Sequence, residues 1–210
     1  MGERTRGGRV YLLTEGIVCV LVDTGAPDGT LGAGQLIEAA GRKLHEVRLI
    51  LLTHAHRGHA GNAQGLRDLI GAPVAASAEV AERLGRPSPP PPGWLRVIGA
   101  SPAPIDPVRV DRVVAPGESL DLAGGIEVVD APGHSPGCLA FRLDAPRALC
   151  VGDAATVTRA GLAPPPRRRC EDPDTAARTA ARLADIPARV LAPGHGYPLV
   201  DGRLPTKRRG

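Results

Sequence analysis

The stretch Thr53-His54-Ala55-His56-Arg57-Gly58-His59 holds three of the chain's six histidines and directly follows a largely apolar segment at 47–52. Imidazoles two residues apart in an extended segment can point to one side, and a turn at Gly58 can bring His59 back toward them. A loop of this kind suits a metal ion better than a hydrophobic core. The stretch therefore predicts a metal site at the end of a strand.

Three later turns have the same setting, because each follows a short apolar strand and is built from small residues. They contain His134 within residues 131–137, Asp153 after residue 152, and His195 within residues 193–196. Imidazole and carboxylate groups together favour zinc, with iron or manganese as further possibilities. The candidate metal ligands are His54, His56, His59, His134, Asp153 and His195.

The periodicity of apolar residues predicts alternating strands and helices. A hairpin is expected at 10–22, split at Glu15-Gly16, and helices are expected at 34–47, 63–70, 78–84 and 174–184. Strands are expected at 47–52, 73–76, 108–114, 119–122, 126–129, 138–143, 148–151 and 189–191. This pattern predicts an α/β sandwich of mixed sheets with helices outside, as a single domain over 1–210.

Composition excludes several classes of protein. Aromatic residues make up only 2%, and the positive charge is confined to short clusters near the N-terminus, at 167–169 and at 207–209, so no nucleic-acid partner is expected. The proline-rich segment 87–92 is expected to be a surface loop. No apolar run is long enough to span a membrane and no signal peptide is recognisable, so a cytoplasmic protein acting on a small molecule is expected.

The histidine and aspartate motifs resemble those of the metallo-β-lactamase superfamily, which has H-x-H-x-D-H, a later His, a bridging Asp and a final His in this order. The resemblance runs from Val22-Asp23-Thr24-Gly25 to His195. It implies an αββα sandwich with the metals at one edge between two sheets. It also implies one metal held by His54, His56 and His134, and a second held by His59, His195 and the bridging Asp153. Asp23 would support the histidine loop by hydrogen bonds, or would be an ordinary turn residue.

The chain departs from the family pattern at Gly58, where the family has an aspartate that ligates the second metal. The departure predicts a weaker second site, with one or two metals per chain, and an aspartate restored at position 58 is expected to strengthen it. Among members of the family, the small glyoxalase II-like proteins are the most similar in architecture. Because the chain ends fifteen residues after His195, the thiol-cofactor pocket of glutathione thioesterases is not expected.

The function expected from this site is hydrolysis, in which a metal-bound hydroxide attacks an ester, thioester, lactone or β-lactam-type bond. Proton transfer would fall to solvent or to Asp153. One alternative is an iron enzyme similar to persulfide dioxygenases, using His54, His134 and Asp153. Another alternative is a catalytically weakened metal- or ligand-binding protein. The arginines at 167–169 are interpreted as a solvated charge run rather than as a contact for an anionic substrate.

Overall fold

The computed structural model describes residues 2–4, 7–27, 30–87, 105–145 and 147–204. The predicted loop at 87–92, apart from Pro87, and the basic tail at 207–209 lie outside these ranges.

The first sheet contains six strands in the order of the chain: β1 (Gly2–Arg4), β2 (Arg9–Glu15), β3 (Val18–Val22), β4 (Val47–Leu51), β5 (Val74–Ala76) and β6 (Arg112–Val113). Strands β1 to β3 are antiparallel, whereas β3 to β6 are parallel. Parallel neighbours require a crossover connection, and helices supply it between β3, β4 and β5.

The second sheet contains β7 (Ser119–Leu120), β8 (Ile126–Asp130), β9 (Leu139–Leu143), β10 (Ala148–Gly152), β13 (Val190–Pro193) and β14 (Leu199–Val200). Its order is β14-β13-β10-β9-β8-β7, and β10 and β13 are parallel while the other neighbours are antiparallel. A separate two-stranded ribbon consists of β11 (Thr156–Thr158) and β12 (Gly161–Ala163). Both large sheets are therefore mixed.

The helices are α1 (Thr30–Ala39), α2 (Arg57–Ala60), α3 (Ala63–Ile70), α4 (Ala78–Leu84) and α5 (Pro173–Ala184). The Asp172 side chain caps α5 by accepting hydrogen bonds from the backbone N–H groups of Asp174 and Thr175, with Pro173 in the first turn. None of the helices in the described ranges is long and apolar enough to cross a membrane.

Alternation of side chains along β4 shows how the layers are built. Leu49 and Leu51 are buried against the second sheet, whereas Ile50 and Leu52 belong to the cluster formed with α1, α3 and α4. A third cluster joins the outer face of the second sheet to α5. Residues 49–51 of β4 form a continuous apolar run because both faces are covered there, whereas Arg48 is exposed. This arrangement confirms the predicted αββα sandwich.

The largest departures from the predicted elements are in one helix and one strand. The helix expected at 34–47 begins earlier and ends at Ala39, because Gly41 has a φ of 67° and a 3₁₀ turn follows at Leu44–Glu46. The strand expected at 108–114 pairs only at Arg112–Val113, although Val108 and Val110 pack against the core beside the helices. Apolar periodicity in that segment therefore reflects burial rather than a strand ladder.

The two sheets present the ends of their strands at one edge. The parallel strands β3 and β4 lead into Asp23 and the histidine loop, while β8, β10 and β13 lead into the turns with His134, Asp153 and His195. The backbone N–H of Leu139 donates to Thr53 O at 2.9 Å, which ties the sheets together at this edge. The topology therefore gathers residues from five distant parts of the chain.

Candidate metal centre

The structure brings all six predicted metal ligands together at this edge, in two sets of three. One set is His54, His56 and His134, and the other is His59, Asp153 and His195. Within each set, the potential ligand atoms lie within 4.8 Å of one another. This grouping is the one that the family resemblance implied.

Asp153 lies between the two sets. Its Oδ2 is 3.5 Å from His134 Nε2 and 3.2 Å from His195 Nε2, and its Oδ1 is 3.5 Å from His59 Nε2. Burial alone would raise the pKa of this carboxyl group, but the hydrogen bond from His195 and the surrounding imidazoles hold the pKa well below its ordinary value. Asp153 is therefore an ionised carboxylate that faces both sets.

His54 has the protonation state of a metal ligand. Burial and, after it, the neighbouring His59 lower the pKa of His54 well below 6.5, so its imidazole is neutral. Its Nδ1 is 2.9 Å from Thr53 Oγ1, whereas its buried Nε2 has no hydrogen-bond partner among the described residues. A buried nitrogen without a partner is costly, and a metal ion at this position would satisfy it.

The other two imidazoles of this set are also held in the neutral form. Burial and the nearby His134 lower the pKa of His56 to about 4, and burial likewise lowers the pKa of His134. Their ring nitrogens, His56 Nδ1 and His134 Nε2, are only 2.9 Å apart. Since neutral imidazole is the form that binds metals, these three residues fit a divalent ion at neutral pH.

His59 is oriented by Asp23. The ring Nδ1 lies 2.7 Å from Asp23 Oδ2, so Nδ1–H donates to the carboxylate and Nε2 is left to face the site. That Nε2 is 3.4 Å from His195 Nε2. Burial lowers the pKa of His59, but the charge of Asp23 and its hydrogen bond outweigh the burial and raise the pKa.

The Asp23 carboxylate also orients His54, through Thr53. It accepts hydrogen bonds from Thr53 N at 2.8 Å and from Thr53 Oγ1 at 2.9 Å to Oδ2. Because the Thr53 hydroxyl donates to Asp23, its oxygen accepts the His54 Nδ1–H, and His54 Nε2 remains unprotonated. Asp23, His54 and His59 form a third close group, but the oxygens of Asp23 are committed to these bonds. The supporting role expected for Asp23 is confirmed.

Gly58 lies in the helix α2, packed directly against the N-terminal segment. A Cβ atom on Gly58 would lie 2.7 Å from Gly7 O and 2.9 Å from Gly7 C, and one on Gly8 would lie 2.6 Å from Gly58 O. The next residue, Arg9, is anchored by a backbone hydrogen bond of 2.9 Å to Gly194 O. The Gly7 peptide therefore fills the space that a side chain at position 58 needs. This contact opposes the gain in second-metal affinity that was expected from an aspartate at position 58.

We expect Asp23→Asn to weaken zinc binding by about 10- to 100-fold, the usual effect of losing a partner that orients a ligand. Asparagine tolerates the left-handed backbone at position 23, where φ is 61°, but it cannot accept all of these hydrogen bonds. Competition with a chromogenic chelator measures the affinity. Asp201→Asn is the matched control, because Asp201 also has a positive φ of 48° and pairs with Arg189 at the surface. Equal zinc affinity in Asp23→Asn and wild type would refute this role.

We expect Gly58→Ala to destabilise the metal-free protein by about 1–3 kcal/mol, the usual cost of overpacking. Gly34→Ala in α1 is the control, since a Cβ there meets no atom within 4 Å and alanine favours a helix. Thermal unfolding compares the two variants. Gly58→Asp is expected to share the loss of stability and to bind a second zinc ion no more tightly than wild type. A Gly58→Ala variant as stable as Gly34→Ala would contradict this account.

Comparison with known proteins agrees with the geometry of the site. The model of the metallo-β-lactamase superfamily matches residues 4–195. The probable metallo-hydrolase YflN of Bacillus subtilis is 28% identical over 203 residues, covering 86% of this chain and 76% of that protein.

Two further proteins show the range of the resemblance. The hydroxyacylglutathione hydrolase of Acidiphilium cryptum is 29% identical over 141 residues, so that 67% of this chain matches 46% of that enzyme. The chain thus spans about half the length of that relative. A metallo-β-lactamase of Cronobacter sakazakii with an HARLDQ motif superposes with a TM-score of 0.72 at 25% identity, covering 93% of this chain and 74% of that one. The chain belongs to the metallo-β-lactamase superfamily, and it is a metal-dependent hydrolase.

Proposed function

We propose that this protein is a zinc hydrolase that cleaves an ester, thioester, lactone or β-lactam-type bond in a small molecule. The observation that carries the proposal is the buried, partnerless Nε2 of neutral His54, within reach of two more neutral imidazoles. Three imidazoles around one point form a donor set that suits zinc. Zinc bound in such a site lowers the pKa of a water molecule toward neutrality and polarises a carbonyl group.

The two sets of residues have different parts in this proposal. His54, His56 and His134 would hold one ion, and His59, Asp153 and His195 would hold a second. The first set is closed off from solvent at His54, which is 0% exposed, whereas the His195 side chain is 44% exposed. The second set also lacks the carboxylate that the family places at position 58. We therefore propose that the three-histidine set binds zinc more tightly.

Asp153 is the residue that we propose for proton transfer. It is the carboxylate among the described residues that line the cleft above the ligands, and the surrounding imidazoles keep it ionised. An ionised oxygen at the cleft can accept a hydrogen bond from water and orient it for proton transfer. With Gly58 in place of the family's aspartate, solvent and Asp153 would share that task.

Relatives support the reaction class and not a particular substrate. YflN is named a probable metallo-hydrolase, and the Acidiphilium enzyme is named for its action on hydroxyacylglutathione. Because this chain matches only 46% of the latter, a hydroxyacylglutathione is one candidate in a panel of substrates. The other candidates are simple thioesters, lactones and β-lactams.

We expect protein purified without added metal to contain zinc, and a chelator to abolish its hydrolysis of at least one substrate of the panel. His54→Ala should lose zinc and reduce kcat/KM by roughly 100-fold or more, since loss of a ligand costs at least as much as loss of its supporting partner. His45→Ala is the control, because His45 lies in the 3₁₀ turn at Leu44–Glu46, outside the two ligand sets. Elemental analysis and hydrolysis assays measure both effects.

Other results would contradict the zinc hydrolase. Bound iron together with oxygen consumption on a persulfide would favour the dioxygenase alternative. No metal uptake, or ligand binding without turnover of any substrate in the panel, would favour a weakened binding protein.

A further inference from the structure

A cleft of about 370 Å³ opens above the candidate metal ligands. Eight described residues line it: five are candidate ligands and two are the glycines Gly7 and Gly58. The remaining residue is Arg169, at the end of the 3₁₀ turn Arg167–Arg169. Arg169 is therefore the one lining side chain, among the described residues, that neither belongs to the ligand sets nor is a glycine.

The backbone around Arg169 is tied to the metal loop itself. The N–H groups of Glu171 and Asp172 donate to the carbonyl oxygens of His134 and Gly133, at 3.1 and 2.9 Å. Just before them, Arg169 N donates to Pro166 O at 2.8 Å and closes the turn. A long side chain on a solvated tail would have no fixed relation to the site, whereas this one starts from a backbone fastened beside His134.

Among the described residues, two arginines near the cleft are paired with carboxylates, whereas Arg168 and Arg169 are not. Arg167 pairs with Asp174 at 2.8 Å, and Arg83 pairs with Glu171 at 3.3 Å. The charge of Arg83 also helps to lower the pKa of His56. Within the described part of the chain, the Arg169 guanidinium has no carboxylate within ion-pair distance. A guanidinium left without a counter-ion at the mouth of a polar cleft favours an anionic ligand, especially a carboxylate that it can bind through two parallel hydrogen bonds.

A second, smaller cavity lies beside Arg169. A smaller cavity of about 30 Å³ adjoins the cleft, shares Arg169, His134, Asp153 and His195 with it, and is closed by Ala155, Thr156, Pro165 and Pro166. Small and rigid side chains make this part of the wall. This side cavity therefore admits only a small group of a ligand beside Arg169.

We propose that Arg169 is a specificity-determining residue that binds the carboxylate of the substrate, so that the enzyme prefers anionic over neutral acyl compounds. The proposal rests on the hydrolase function proposed above and deepens it by naming the substrate class. The sequence pattern alone indicates only that Arg169 belongs to a solvated charge run. The position of Arg169 in the cleft is the reason for assigning it a binding role.

The test uses two thioesters that differ only in charge, S-acetyl-3-mercaptopropionate and its carboxamide, with thiol release measured for the zinc-loaded enzyme. Arg169→Met should lower kcat/KM for the carboxylate by about 10- to 100-fold, because hydrogen bonds between charged groups are the strong ones, and should leave the carboxamide within about threefold. Arg168→Met is the matched control, since Arg168 belongs to the same turn but does not line the cleft. Equal losses on both thioesters, no loss on the carboxylate, or the same loss in Arg168→Met would overturn the proposal.

A binding experiment separates this proposal from the hydrolase proposal. Calorimetry with 3-(methylthio)propionate, which has no scissile bond, and with its carboxamide tests Arg169 without turnover. Weaker binding of the carboxylate alone by Arg169→Met supports the role of Arg169 even if neither thioester is cleaved. Equal binding by wild type and Arg169→Met overturns it even if the enzyme is an active hydrolase.

Discussion

The hydrogen bonds of the Asp23 carboxylate are the interaction on which the site depends. One carboxylate accepts from Thr53 N, from Thr53 Oγ1 and from His59 Nδ1, and through the threonine hydroxyl it fixes the proton of His54 as well. The Nε2 atoms of His54 and His59, which belong to different ligand sets, therefore both face the site because of this one carboxylate. Asp23 adopts a left-handed backbone conformation, which is rare for residues other than glycine. The buried hydrogen bonds of its carboxylate offset the energetic cost of this conformation. Parallel pairing of β3 with β4 places Asp23 beside Thr53.

A second constraint makes the two halves of the centre unequal. The peptide of Gly7 occupies the space beside Gly58, and a Cβ on Gly8 would come within 3.0 Å of the His59 ring. Backbone thus takes the place that a carboxylate has elsewhere in the family. The three-histidine set is complete, while the set around Asp153 is open on one side and shares its cleft with Arg169. The three-histidine set is mostly buried and neutral, whereas the second set runs from buried His59 to exposed His195 and includes the ionised Asp153. This difference supports the proposal that the three-histidine set binds metal more tightly.

Much of the fold could be predicted from the sequence because the signals were local. Largely apolar runs predicted β4 and β10, and Asp172 followed by Pro173 predicted the start of α5. Histidines in turns of small residues indicated the ends of strands. The end of α1 was placed too late even though Gly41 signalled it. The short strands β11 and β14 carry no periodicity and were not predicted, whereas β6 is the only part of the strand expected at 108–114 that is paired.

The features of the site that sequence reasoning missed depend on contacts between distant residues. Nothing near Gly58 in the sequence indicates that Gly7 lies against it, and nothing in three consecutive arginines indicates which one faces the cleft. Anomalous diffraction at the zinc edge, on crystals of the protein loaded with zinc, would locate bound metal relative to Asp23. We expect anomalous density among the six ligands, with Asp23 hydrogen-bonded to His59 and not ligated. Density coordinated by Asp23, or no density at this edge of the sheets, would contradict this expectation.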